Sequence, residues 1–578
     1  MIARLILLIP VLMFPTFGWG TTLYMGAGET YTNLQSAMAA MSAGDTLIIR
    51  DGTYTGASNQ ITTANHPPES STLWTTIKAE HDGAVLFDGE YARCMFDVQG
   101  APSPYSALYN AHWVFEGIIW GRASVGVLVG IYNRSYVKFL RCGGFDAGTG
   151  NAPVFFAGRC SYLLFDGCYS WGRGRSSFTA WGSDYNNDHI IFRNLVSRID
   201  RVLGEEPIYN FGMYSAQYGL VQNCIAIDTD QDDYYLNGSG DGTIGRTNWS
   251  GGISIPSTDR DANDIKIYNS IVFNSHIGGI YTTGNNYHSY DVSWDNVVVA
   301  NVRNLPDLNV NSWRGIRDTV SHITFVDGYL NGNDTAGSHG FSTYGTTDFY
   351  ISNSIVARYT GPSDNVTYGL VGDYQAIYGN NSPFSSSGTP IGTHSLTTIN
   401  PIWHASTNPT GALKYITRIE SGSNLSGQGS TGDIGANLTT LRGTTGALWG
   451  EAGYDSDTGV SMWPFPNESL IKAKMASYTG GGVNGARGFA ASGTQLDGTS
   501  EITLTSYIWE YLGNQMPSDI YGTTEPTCSD GVQNGDETGI DCGGSCTACE
   551  QSGAATWLTS GGVVITDPGT GHAVGPAQ

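Results

Sequence analysis

The sequence predicts an all-β fold: a right-handed parallel β-helix, or solenoid, with an N-terminal capping helix, an irregular C-terminal cap and a small Cys-rich module. Three observations carry this. One segment recurs along the chain, an asparagine column runs through the recurrence, and the composition is poor in charge but rich in glycine and aromatics.

Seven segments align, beginning at Val137, Leu163, Ile190, Gly219, Ile265, Val292 and Phe349, so the starts lie 26, 27, 29, 46, 27 and 57 residues apart. The third position reads Phe139, Phe165, Phe192, Val221, Ile267, Trp294 and Ile351, and the sixth Cys142, Cys168, Leu195, Cys224, Ser270, Val297 and Ser354. Apolar residues alternating with polar ones mark a strand with one buried face. A strand that returns at this spacing without a helical crossover is a solenoid strand. The gap of 57 fits two turns, the missing one being Val320 to Ile323; the gap of 46 is one turn with an insertion, or two short turns.

The fifth position is Arg141, Gly167, Asn194, Asn223, Asn269, Asn296 and Asn353. Asparagine tolerates left-handed backbone angles, and its amide can bond the same amide one coil away. The column therefore marks a tight bend, a structural role. Upstream, Thr32 to Met41 has helical spacing and turns into the strand Gly44 to Ile49, which places a capping helix near 32–42 over the exposed end of the first coil. Residues 365–445, rich in Ser, Thr, Gly and Asn, are expected to form the last, irregular coils. The aromatic segments Ser461 to Glu468 and Ser506 to Leu512 are expected to pack over them. The expected layout is a signal peptide at 1–20, the β-helix at 21–445, a cap at 446–525, a Cys-rich module at 526–550 and a polar tail at 551–578.

Charged residues make up 13% of the chain, against an ordinary ~25%. The 78 glycines, 33 Tyr and 14 Trp suit an exported β protein with many tight turns. Arg4 followed by the apolar run Leu5 to Phe17, with Gly18 and Gly20 behind it, reads as an export signal, a retained N-terminal anchor being the alternative. No later segment is long and apolar enough to span a membrane once the signal is removed. The formal net charge of −24 repels phosphate backbones, which excludes nucleic acid as a partner. It repels anionic polysaccharides too, unless a basic patch or divalent cations intervene.

The stretch Ala43 to Tyr54 resembles the opening strand of the pectate-lyase-like β-helix superfamily. With Thr76 to Glu80 and Val85 to Gly89 it is most similar to polysaccharide lyase family six, the alginate and dermatan lyases. The resemblance is detailed over about residues 21–100 and persists to about 360 only as a repeat pattern. It implies a carbohydrate-active β-helix, a lyase before a glycosidase. The paired Lys and Arg-His-Gly motifs of that family are not evident, so its catalytic residues do not carry over. Such a fold hosts many activities.

Cys94, Cys142, Cys160, Cys168 and Cys224 fall in the helix, three of them in the inward sixth column, and are expected as buried thiols. Cys528, Cys542, Cys546 and Cys549 form a separate unit that resembles a small cysteine module of bacterial surface and secreted proteins. An even set in an exported chain favours two disulfides over zinc. Asp530, Asp536 and Asp541 among its glycines offer hard oxygen ligands suited to Ca²⁺.

Function on a β-helix sits on its lateral face. Following the inward column by four to six positions collects Asp146, Arg173, Asp200 with Arg201, and Asp228 with Asp230 from successive coils, which stack ~4.8 Å apart. Arg173, Arg201 and Asp200 are the expected catalytic residues. Arg175, Trp171, Trp181 and Trp249 are expected to bind substrate, the aromatic planes suiting sugar C–H faces. Asp228, Asp230, Asp232 and Asp233 are expected to hold Ca²⁺. The competing reading makes the same residues structural ion pairs and packing.

A uronate lyase needs its substrate carboxylate neutralised, a base for the carbon acid and an acid for the departing oxygen. An inverting glycosidase needs two carboxyls ~6.5–9.5 Å apart. A non-catalytic surface or adhesion protein needs neither. The expected partner is an extracellular, acidic polysaccharide; oligomeric state is not readable from the sequence.

Overall fold

Three parallel strands per coil build the molecule, and each coil lays its strands in register on those of the coil before. In the computed structural model the described residues are 20–99, 108–149, 152–181, 187–202, 209–229, 251–257, 261–275, 279–283, 287–302, 316–326, 350–357, 372–378, 392–399, 401, 416–420, 422–491, 502–510, 556–558 and 564–566. One coil comprises Arg134–Leu140, Gly143–Phe145 and Pro153–Gly158, and the next Ser161–Asp166, Tyr169–Trp171 and Ser176–Trp181. Val137, Leu163, Ile190, Gly219 and Ile265 are consecutive register partners, as their spacing predicts. Gly219 pairs directly with Ile265, so the gap of 46 residues is one coil with an insertion. Trp294, Val320 and Ile351 pair in turn, which makes Thr319–Val326 the missing coil.

The first two strand rows join in a 21-stranded sheet, and the third row is an eight-stranded sheet running in chain order from Ile61–Thr62 to Ile280–Thr283. This is an all-β parallel β-helix. Its interior is filled by stacked columns: the Phe115, Phe139 and Phe165 rings follow one another at 5.1 and 4.9 Å. Cys142, Cys168 and Cys224 are buried free thiols in the same interior. The capping helix α1 (Leu34–Ala40) begins at Asn33, whose side chain accepts from the Ser36 amide at 3.0 Å. It buries Leu34, Ala37 and Met38 on the first coil.

The bend column is left-handed throughout: φ is +52° at Arg141, +67° at Gly167, +53° at Asn194, +54° at Asn223, +48° at Asn269, +55° at Asn296 and +48° at Asn353. The Asn223 amide donates to Asn194 Oδ1 at 2.9 Å, and Asn269 donates to Asn223 Oδ1 at 3.4 Å. These asparagines also do something the repeat does not foretell. The described residues after 416 form no further coils; they run back along this corner as a strap. Ser430 N donates to Asn353, Asn437 N to Asn296, Arg442 N to Asn223, and Asn269 donates to the Thr440 carbonyl, at 2.8–3.0 Å. Arg193, fully buried, donates to the carbonyls of Thr444, Ala447 and Tyr454 at 2.7–3.0 Å. The strap then turns onto the second sheet face. There Trp463, Phe465 and Trp509, with α2 (Glu468–Ala476) and α3 (Leu504–Glu510), cover the outward side chains. The aromatic segments are thus packing elements, on the flank of the helix and not over its end.

Replacing Asn223 by Ala removes bonds to three partners, Asn194, Asn269 and Arg442, and leaves a left-handed Cβ without its compensating amide. A loss of about 2–4 kcal/mol is expected in denaturant unfolding, with Asn223→Gly milder by about 1 kcal/mol. Asp318 stands in the inward column that holds Val137, Leu163, Ile190, Ile265 and Val292 in other coils. Burial pushes its carboxyl up to about 8, opposed by the Val292 N–H donating to it at 3.1 Å. Above about pH 4 the unfolded chain gives up this proton while the folded chain keeps it. Stability is therefore expected to decline from about pH 4 to pH 8, and Asp318→Asn to flatten that slope in unfolding curves taken across the range.

Candidate functional site

A second left-handed corner runs along the far edge of the second face. Arg122 (φ +57°), Asp146 (+57°), Gly172 (+80°), Asp228 (+53°) and Asn274 (+49°) occupy it. Asp and Asn recur there because few residues accept that backbone. Their side chains meet the strap. Asp228 accepts from Phe489 N at 2.9 Å, Tyr507 Oη at 2.9 Å and Asn274 Nδ2 at 2.6 Å. Asp200, fully buried, accepts from Gly172 N at 2.8 Å and pairs with Arg198 at 2.9 Å and Arg487 at 3.1 Å. Arg198, also buried, donates to Met475 O and Gly485 O at 2.9 and 2.8 Å, satisfying one carbonyl at the end of α2 and one in the loop beyond it.

Towards the start of the helix the strap and this face separate around a cavity of about 420 Å³. Its floor is Leu86, Ile119, Phe145 and Trp171, and Trp171 stacks on Phe145 at 5.1 Å. Its rim carries Tyr91, Arg122 and Asp146 from the coils, with Lys474 and Tyr478 from the strap. Tyr478 Oη donates to Asp146 Oδ1 at 2.6 Å, and Tyr91 Oη donates to Asp146 Oδ2. Burial, and then the bond to Asp146, push the Tyr91 phenol up to about 12; burial and the Asp146 charge raise Tyr478 as well. Both stay protonated at neutral pH. Arg122 is ion-paired with Asp88 through both Nε, at 2.9 Å, and Nη2. Lys474 is half-buried, and that burial lowers its pKa; among the described residues no hydrogen bond or ion pair holds its ammonium group. Its Cε lies 3.2 Å from where a Cβ on Gly83 would stand, so a side chain there would crowd it.

The expected site residues are distributed unevenly around this cavity. Trp171 forms its floor. Arg173 sits behind the rim, its guanidinium 4.7 Å over the Tyr91 ring and its Nε donating to Ala147 O at 3.0 Å. Arg201 pairs with Arg173 through the backbone, and its side chain falls outside the described part. Arg175 is half-buried on the same turn as Arg173. Trp181 ends a strand of the eight-stranded sheet, 6.0 Å from Phe156, away from the cavity. Asp200 and Asp228, expected in catalysis and cation binding, spend their oxygens on the protein's own donors and anchor the strap. Asp230, Asp232, Asp233, Trp249, Asp530, Asp536, Asp541 and Cys528, Cys542, Cys546 and Cys549 lie outside the described residues, as do residues 1–19. Tyr91, Arg122, Lys474 and Tyr478 were not expected. The first two precede the aligned repeats, and the last two lie on a segment read only as packing.

One group near the cavity could hold a metal ion: Asp51, Glu80 and His81, whose ligand atoms lie within 4.8 Å of one another, all exposed. His81 Nδ1 bonds Asp51 at 2.9 Å, and Glu80 is already paired with Arg50. Two carboxylates and an imidazole fall short of the six to eight oxygens that Ca²⁺ takes. Among the described residues no helix is long and apolar enough to cross a membrane.

No family model and no curated protein matches the sequence. Among solved structures the chain is similar to pectate lyase Pel9A, at 15% identity over 72% of this chain and 96% of that one, with a TM-score of 0.35. It is similar to a GH87 α-1,3-glucanase catalytic domain at 12% identity, over 68% and 70%, with a TM-score of 0.34. To the PL6 alginate lyase AlyGC the figures are 11%, 64%, 53% and 0.32. The fold assignment rests on the strand registers themselves.

Arg198→Ala leaves Asp200 buried with a weaker partner set and strips two strap carbonyls of their donor. It is expected to cost about 3–5 kcal/mol and to open residues 462–491 to limited proteolysis, whereas Arg173→Ala leaves that segment protected.

Proposed function

We propose that the protein is exported and engages an acidic extracellular polysaccharide at this cavity, with β-elimination the reaction its side chains support. One observation carries the reading: in a chain of net charge −24, the cavity presents Arg122, paired with Asp88, and Lys474, which no described residue partners, beside an aromatic floor. A polyanion is repelled elsewhere on the surface, and this is a local exception. The Leu5 to Phe17 run behind Arg4 supports export, and disulfide pairing of the terminal cysteines belongs to the same reading.

In that role the floor of Phe145 and Trp171 takes the apolar face of a sugar ring, and Arg122 neutralises the uronate carboxylate. The Lys474 amine, depressed by burial, removes the proton from the carbon beside that carboxylate. The carbon–oxygen bond at the β position breaks as the double bond forms. The departing oxygen takes a proton from solvent or from the Tyr91 phenol. Inverting hydrolysis is less well served, because Asp146 is the single carboxylate among the described lining residues and both its oxygens are engaged.

The test is a panel of uronate and neutral glycans, scored for binding by calorimetry and for unsaturated ends by ultraviolet absorbance. Uronates are expected to bind in preference to neutral glycans. Lys474→Met should lower turnover by about 10²–10⁴-fold without loss of stability. Turnover should rise with pH as the Lys474 amine is freed. Equal binding of neutral glycans, with Arg122→Gln and Lys474→Met both silent, would remove the reading. Uronate binding without turnover would leave a binding protein.

A further inference from the structure

We infer that the cavity is blind and receives the end of a glycan chain, a terminal acidic sugar, in place of an internal stretch. This rests on the reading of the cavity as a uronate site and adds the form of substrate that fits it.

A bare β-helix face is a groove open at both ends, because the same outward columns continue from coil to coil. Here the columns continue and the groove does not. Beyond Trp171 the outward residues Val196, Ile225, Ile227, Ile271 and Phe273 are fully buried. They lie in one apolar cluster with Met475, Val483, Phe489 and Ile508 of the strap. The closure begins at the cavity's own wall. A Cβ on Gly172 would meet the Tyr478 ring at 3.1 Å, and the Tyr478 hydroxyl is tied to Asp146 at 2.6 Å. Arg198, Asp200 and Arg487 hold the next stretch of strap down on the following coil. Along one flank Leu470 and Lys474 of α2 close on Gly83, with Leu470 Cδ1 3.0 Å from the position of its absent Cβ. No width is left for a saccharide to pass in that direction.

The opposite end is open. Thr53 is exposed, Tyr91 is 44% exposed and the Arg122 side chain 41%. A chain entering there meets Arg122 first and stops against Trp171 and Tyr478. At about 420 Å³ the cavity lies at the lower end of the ~300–1,000 Å³ range for small-ligand pockets, room for roughly one or two sugar rings. Lys474, on the flank beside Gly83, lines the closed part of the cavity where that ring stops, which favours a terminal sugar bearing a carboxylate.

The experiment titrates the full-length protein with sodium alginate and with polygalacturonate, each as a defined tetramer and as a long polymer, by calorimetry at one ionic strength. End recognition predicts one protein bound per chain, and affinities per mole of chain that agree within about threefold between tetramer and polymer. Where turnover occurs, small products should appear from the first cycles while polymer viscosity stays nearly constant. Several proteins bound per polymer chain, with affinity growing with length, would overturn the inference and leave the uronate reading standing, as would an early fall in viscosity. If neither uronate binds in either form, the uronate reading falls, and this inference with it.

Discussion

Every coil must turn sharply at its corners, and at all three the turn is made by residues in the left-handed backbone region: Asn194 and Asn223 at one, Asp146 and Asp228 at the next, Asn133, Arg159 and Ser215 at the third. For most side chains that conformation costs about 1–2 kcal/mol, and Asn, Asp and Gly bear it best. The constraint selects residue types, and those types bring polar groups to the corner edges. Asn194, Asn223 and Asn269 satisfy theirs partly from coil to coil. What remains is offered outward, and the strap meets it with main-chain amides and carbonyls. Where the chain can lie back on the helix is thus set by backbone geometry at the corners.

The strap in turn decides where a ligand can go. It brings Lys474 and Tyr478 against Tyr91 and Asp146, residues more than 300 positions away in sequence. Two guanidiniums with no access to water, Arg193 and Arg198, lie beneath it. Each would be costly alone and is stabilised by carbonyls of the strap and a carboxylate of the helix. Such contacts are all-or-none: a partly docked strap leaves buried charge unsatisfied. The cavity wall is consequently as firm as the helix it leans on, although it is built from a segment without repeats.

The β-helix was legible because register and bend chemistry both repeat at the coil spacing, and a repeat is visible in one sequence. The link from Val137 to Ile265 could be read residue by residue. Asp146 and Asp228 recur at that spacing too, and the lateral face of such a helix is where function sits. A corner residue and a catalytic residue then carry the same signal. Only their partners, Tyr478 for one and Phe489 with Tyr507 for the other, distinguish the roles. The strap docks largely through main-chain groups, which leave no side-chain pattern, so residues 416–445 read as more coil. Trp171 was reachable from the sequence because it lies one strand beyond a repeat position; Lys474 was not, because its neighbours are set by docking.

Electrostatics ties these levels together. Carboxylates outnumber cations almost two to one, yet several of the acids engaged by the strap, Asp146, Asp166, Asp200 and Asp228, are buried and answered by specific donors. The acidity that a distant polyanion feels comes from the remaining, exposed acids, and salt screens it within about 10 Å. Inside the cavity the Asp146 carboxylate is held by the Tyr91 and Tyr478 hydroxyls and Arg122 by Asp88, which leaves Lys474 without a counter-ion among the described residues. A partly desolvated cation without a partner is unfavourable in the free protein, and its lowered pKa records that cost. On the proposed reading, a uronate carboxylate entering the cavity offsets that cost.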